Sequence, residues 1–180
     1  MRIDRFPTVN AARGRGGFEP SAVVLHTTAG FFDGTVSWFG SERSGVSAHY
    51  LVGLDGRVGV FVEEEDTAHH AGRVVRPTAG FLIPGVNPNQ ITVGIEFVDD
   101  RDPHGVERPD AQYRSGAELL WAICLRWGIP LDRAHVVGHR EINAAKTCPG
   151  NLDIDRLVQM ANEMTNEMAN EMPGEMADDS

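Results

Sequence analysis

Short β-branched runs alternate with stretches of helical period along this chain, and no other feature limits its fold as tightly. The run SAVVLHTT is bounded by Pro20 and Gly30 and reads as a buried strand over Ala22–Thr27. Residues 34–41, GTVSWFGS, suit a short helix. AHYLVGL and RVGVFV flank Asp55-Gly56, a two-residue turn signal, and so predict a hairpin. ITVGIEFV predicts a strand over residues 91–98. Over Asp110–Trp127 the apolar residues Ala117, Leu120, Trp121, Ile123, Cys124 and Trp127 recur at helical spacing, and Gly128 and Pro130 stop the helix. AHVVGH is a last short strand ending at His139, REINAAKTCPG is a loop, and a final helix begins at Ile154. The order strand, helix, hairpin, strand, helix, strand, helix predicts an α/β (mixed α+β) domain, a central mixed β-sheet flanked by helices.

Three segments carry weaker signals. Residues 1–20 are rich in Arg, Gly and Asn and read as an irregular lead-in to a single domain over residues 21–160. Residues 63–90 form a long loop with several Pro, Gly and Asn, and loops of that length are usually functional or mobile. From Met160 the units MANE, MTNE, MANE and MPGE follow one another, and a four-residue repeat brings Met side chains together on a helix. Residues 161–180 are therefore expected either to continue as a helix, packing a Met stripe on the domain or on another copy, or to fray into a disordered tail at Pro173.

Composition excludes some partners. The formal net charge of −10 argues against broad nucleic-acid binding, which needs clustered Lys and Arg. It gives no support to binding an anionic membrane surface. No apolar run is long enough for a transmembrane helix. The start, MRIDRFPTVNAARGRGG, lacks the apolar stretch of a secretory signal, so synthesis in the cytoplasm is expected. An outer-wall substrate would then be reached only after release. Of the two cysteines, Cys124 sits in the apolar helical run as a small core residue, whereas Cys148 lies in a polar loop; a disulfide between them is not expected.

The residues that carry chemistry are few. His26 ends the first strand run, His139 ends the last, and Cys148 follows nine residues later. Imidazole and thiolate are good zinc ligands, and two His with one Cys leave a fourth tetrahedral position for water, as in catalytic sites. Cys148 with His139 also admits a thiol hydrolase, although a nucleophilic thiolate usually sits at a helix N-terminus, and Cys148 is followed by Pro-Gly. Glu96 lies within an otherwise apolar strand, where an unpaired carboxylate is costly. Asn87 and Asn89 could bind sugar or peptide amides, but Asn beside Pro is ordinary turn chemistry.

The strings LHTTAG, SAHYLV, DGRV, HHAG, VGIEF and VGHREI-AAKTCPG occur in this order over about residues 20–160. Together they resemble the type 2 N-acetylmuramoyl-L-alanine amidases, whose fold is shared with phage amidase endolysins and animal peptidoglycan-recognition proteins. The resemblance implies one zinc ion held by His26, His139 and Cys148, with Glu96 as the proton-transferring base and Lys146 stabilising the oxyanion. It implies that His70 lines the substrate groove, with Thr27 beside it. The Tyr that several phage amidases carry falls at Ala48 here; strand alternation would put Tyr50 on the same face, from which it could reach the site. The implied substrate is peptidoglycan or a muropeptide, cut between N-acetylmuramic acid and L-alanine. The resemblance covers a wall-lytic endolysin, a cytosolic enzyme recycling anhydro-muropeptides, and a non-catalytic peptidoglycan-binding module; the module branch lacks the Cys ligand that this chain keeps.

Overall fold

A computed structural model of the protein describes residues 2–171, with side chains to residue 167. The elements in chain order are β1 (Ile3–Arg5), β2 (Ala11–Ala12), β3 (Ala22–Thr27), α1 (Phe32–Gly40), β4 (Tyr50–Val52), β5 (Val58–Val60), β6 (Thr67–Ala68), β7 (Thr92–Phe97), α2 (Asp110–Trp127), β8 (Val136–Gly138), α3 (His139–Ile142) and α4 (Ile154–Glu171). Six strands form one mixed sheet in the order β1-β5-β4-β7-β3-β8, and β2 pairs with β6 apart from it. The central strands β4, β7, β3 and β8 are all parallel, while β5 returns antiparallel to β4.

The predicted α/β architecture, a mixed sheet flanked by helices, is the one observed. Alternation along the strands divides the core in two. Val23, Leu25, Val93, Ile95 and Phe97 face α2 and α4. Val24 and Val137 face the other way, onto Ala71 and Ile142. Leu51 faces Phe39 of α1 and Phe61. A sheet covered on both sides needs strands that are apolar at nearly every position, which is why ITVGIEFV and AVVL lack the polar spacing of a half-exposed strand. In α4, Ile154, Leu157, Val158 and Ala161 are buried at helical spacing. Met160 and Met164 rest on the same core, whereas the side chains of Met168, Met172 and Met176, and the predicted tail beyond Pro173, lie outside the described residues.

Several boundaries differ from the sequence reading, each for a physical reason. The N-terminal segment is not wholly irregular. Ile3, Asp4 and Arg5 add a parallel strand to Val58, Gly59 and Val60 at the sheet edge, held by backbone bonds that no apolar pattern announces. The hairpin is closed by Gly53 N–H donating to Arg57 O at 2.8 Å, so its tip is Leu54-Asp55-Gly56 rather than two residues. His139 does not end a strand but opens α3, one turn of helix between β8 and the Cys148 loop. Cys124 is buried and free, as its helical setting predicts. Among the described residues no helix is long and apolar enough to cross a membrane.

Gly116 sets how closely α2 approaches the sheet. A Cβ added there would lie 2.7 Å from Phe97 Cε1 and 3.1 Å from Leu157 Cδ2. Gly116→Val is therefore expected to cost about 1–3 kcal/mol by overpacking. For a chain of this size that is a Tm lower by roughly 2–12 °C. An unchanged Tm in thermal denaturation would show slack between α2 and β7.

Candidate metal centre and its groove

The parallel ladder of the central strands assembles the site. On β3 and β7, His26 pairs directly with Glu96 in register, so both side chains leave the sheet on the face opposite α2. On the other side of β3, Leu25 pairs with Gly138, and the next residue is His139. The rings of His26 and His139 are 4.7 Å apart, centroid to centroid. The loop after α3 returns to this point because Arg140 N–H donates to Cys148 O at 3.0 Å. Cys148 Sγ then accepts a hydrogen bond of 3.1 Å from Thr27 N–H.

The ligand-capable atoms of His26, His139 and Cys148 lie within 4.8 Å of one another. One ion with bonds of about 2.0–2.3 Å spans such a set with small side-chain shifts. The hydrogen bonds identify the nitrogens involved. His26 Nε2 is 3.0 Å from His70 Nδ1, and His139 Nε2 is 2.9 Å from the carbonyl oxygen of Ala71. In each ring Nδ1 is left to face a metal, with the outer nitrogen oriented by a partner, the usual arrangement for ligating histidines. The His26 contact continues outward, since His70 Nε2 lies 3.3 Å from Thr92 Oγ1, which donates to Pro88 O at 2.7 Å. Gly94 makes room for this chain: a Cβ there would sit 2.4 Å from the His70 ring.

Electrostatics fit a cation. Burial first, then the charges of neighbouring His70, His139 and Lys146, hold His26 well below the usual histidine range. Burial lowers His139 as well. Both rings are then neutral at pH 7, the form that binds a metal. Burial, with the Glu96 charge, pushes the Cys148 thiol up to about 12. Such a thiol is not a nucleophile at neutral pH, whereas a bound cation deprotonates it outright. This argues for a ligand and against the cysteine-hydrolase alternative.

Glu96 is half-buried, and its Oε2 is buried without a hydrogen-bond partner among the described residues. Burial and the nearby Asp99 charge push its carboxyl up to about 8. Such an orphaned polar atom marks the place of a missing partner. Lys146 is exposed on the same groove, which has a volume of about 480 Å³ and is also lined by Thr27 and His70.

The structure assigns other tasks to some predicted residues. Tyr50 does not reach the groove. Its strand starts at Tyr50 itself, so alternation does not extend back to Ala48; Ala48 packs beside Leu51, while Tyr50 lies on the α2 face and donates to Glu64. His70 lines the groove but is nine-tenths buried and orients His26. Thr27 holds Cys148 through its backbone and Asp99 through its hydroxyl, at 2.6 Å. Asn89 Oδ1 accepts from His70 N–H and Ala71 N–H, and Asn87 caps Asn89; both shape the loop. His49 is structural: Nδ1 accepts from Gly94 N–H at 2.9 Å, and burial followed by the Arg15 charge lowers it to about 3.

Two supporting residues escaped the sequence reading. Asp99 is fully buried and accepts from Thr27 Oγ1, Ala29 N–H, Gly30 N–H and Arg101 N–H. Arg15, from the Gly-rich lead-in, donates to the carbonyls of Asn89, Gln90 and Thr92 and lies 2.8 Å from His49 Nε2. The only local hint was an acidic residue ending an apolar run in the first case, and an Arg among glycines in the second.

A family model described as N-acetylmuramoyl-L-alanine amidase matches residues 16–151. N-acetylmuramoyl-L-alanine amidase A of Achromobacter lyticus is 34% identical over 112 residues, covering 62% of this chain and 55% of that protein. The chain thus spans about half the length of that curated relative. Among solved structures, AmpD superposes with a TM-score of 0.71 at 22% identity, covering 88% of this chain and 94% of that one. The amidase LysC of Clostridium intestinale gives 0.67 at 18%, covering 90% and 98%. A mutant endolysin from Bacillus subtilis gives 0.65 at 19%, covering 89% and 99%. These likenesses establish the fold.

Two measurements test the site. Removing an outer partner of a metal ligand already costs about 10–100-fold in affinity, so Cys148→Ser is expected to weaken zinc binding by at least ~100-fold in a chelator competition. Undiminished affinity would remove Cys148 from the ligand set. In metal-free protein the folded state keeps the Glu96 proton up to about pH 8, against a reference value of 4.5. The folded state binds more protons across that window, so this group's contribution to stability declines as pH rises through it and levels off above. Glu96→Gln should abolish that component in chelator-treated protein. Identical pH slopes of the denaturation midpoint in both proteins would contradict the assignment.

Proposed function

Because the chain belongs to the N-acetylmuramoyl-L-alanine amidase family, whose model spans residues 16–151, we propose that it hydrolyses the amide bond between N-acetylmuramic acid and L-alanine in peptidoglycan. The observation that carries this reading is the convergence of His26, His139 and Cys148 beside an orphaned Glu96 carboxyl in one groove.

We assign His26, His139 and Cys148 as ligands of a single zinc ion. When bound, zinc would activate water and polarise the scissile carbonyl. His70 and the Ala71 carbonyl engage Nε2 of the two imidazoles, which would leave each Nδ1 available to the ion. Glu96 takes a proton from the attacking water and delivers it to the leaving nitrogen of L-alanine. A carboxyl pushed toward neutrality suits a group that must gain and lose a proton in one cycle. Lys146, exposed on the groove, faces the charge that develops on the carbonyl oxygen. Water adds hydroxyl to the lactyl carbonyl carbon and hydrogen to nitrogen, leaving a muramic carboxylate and a peptide beginning with L-alanine.

Of the two enzymatic settings, we favour a wall-lytic endolysin, synthesised in the cytoplasm and acting after release. A second pocket shares His70, His139 and Lys146 with this groove and is lined also by Arg73 and Asn143, which supports a substrate extending beyond the scissile bond. Turnover of anhydro-muropeptide without release from intact sacculi would select the recycling enzyme instead.

Digestion of purified peptidoglycan should yield peptides with N-terminal L-alanine by mass analysis. Glu96→Ala is expected to retain zinc and lose about 10²–10⁴-fold in turnover. A fully active variant would refute the base assignment.

A further inference from the structure

The groove carries a charge pattern unlike the rest of the chain. The protein has a formal net charge of −10. Yet the side chains lining the groove include two cations, Arg101 and Lys146, against one carboxyl, Glu96, which sits beside the metal ligands. Lys146 already has a task in the reaction proposed above; Arg101 has none.

Arg101 is held in a particular way. Its Cζ lies 4.8 Å from the ring centroid of Phe31, a large apolar side chain left 46% exposed. Its backbone has φ 70, a left-handed conformation that non-glycine residues adopt only at a cost. Arg101 N–H donates to Asp99 Oδ1 at 3.0 Å, and the same carboxylate accepts from Ala29 N–H and Gly30 N–H, just before Phe31. One buried acid thus fixes both turns, so the guanidinium and its aromatic seat come together at the groove wall. Among the described residues Arg101 enters no ion pair. A guanidinium with its Cζ over a ring still has N–H groups for a further partner, and the guanidinium fork matches a carboxylate in two-point geometry.

We propose that Arg101, seated on Phe31, binds a free carboxylate of the substrate's peptide and so fixes the direction in which the substrate lies. This rests on the amidase reading. The bond to be cut consumes the carboxyl of muramic acid, so the carboxylates left near it belong to the peptide. The peptide half then runs toward Arg101 and the sugar half lies on the other side of the metal centre.

The test uses solubilised peptidoglycan strands, untreated or with their peptide carboxyls converted to amides by carbodiimide and ammonia, and follows new N-terminal L-alanine. Wild type is expected to lose about tenfold in kcat/KM on the amidated strands. Arg101→Ala should lose about tenfold on untreated strands, through KM with kcat kept, and lose little more on amidated ones; this is the loss of one charged hydrogen bond in a wet site. Arg101→Lys should recover part of the preference, and zinc content and Tm should match wild type in both variants. If Arg101→Ala keeps the wild-type preference, or if wild type cuts both strands equally, the carboxylate subsite is overturned while the amidase reading stands. If wild type releases no L-alanine from untreated strands, the amidase reading fails and takes the subsite with it.

Discussion

The parallel pairing of β7, β3 and β8 is the constraint on which the rest of this molecule depends. It places Glu96 against His26 on one side and Gly138 against Leu25 on the other, so three chemically active residues from distant parts of the sequence meet at one end of the sheet. A slip of one residue in either ladder would turn His26 or Glu96 into the apolar layer under α2 and α4. The bulk of the core, from Val23 and Ile95 to Leu120 and Leu157, prevents that slip. Hydrophobic burial on the helix face is therefore what sets the geometry of the candidate site on the other.

Around the candidate metal centre, burial and hydrogen bonding divide the labour. Burial favours neutral imidazoles and a protonated thiol. Hydrogen bonds decide where each ring points. The chain from His26 through His70 and Thr92 to Pro88 ends on a backbone carbonyl, and the bond from His139 ends on another. Both anchors are main-chain atoms of the loop between β6 and β7. That long segment is thus part of the frame of the site as well as its rim.

Much of this was legible in the sequence where a local pattern had a single physical meaning. The apolar run at residues 91–98 could only be a covered strand, and Glu96 within it stood out because a carboxylate there needs a reason. His26, His139 and Cys148 were recognisable as a potential ligand set from their chemistry and context. Legibility ended where partners are distant backbone groups. Asp99 looks like one acid in the polar string VDDRD, yet its hydrogen bonds reach back some seventy residues to Thr27, Ala29 and Gly30. Arg15 lies in a stretch with no apolar period and is still buried, because its donors find carbonyls of a loop that arrives much later. Tyr50 misled for the opposite reason. Alternation is a rule for paired strands, and the residues before Tyr50 are not yet in one.

The doubly engaged Asp99 has a consequence for how this chain can vary. The turn that follows His26 and the turn that carries Arg101 share one acceptor, so their lengths are not independent. An insertion in either would pull its amides away from a common anchor and leave the buried Asp99 carboxylate short of donors unless the other turn changed in step. Diversification of this wall should therefore proceed by paired changes in two segments far apart in sequence, with the acid between them held constant.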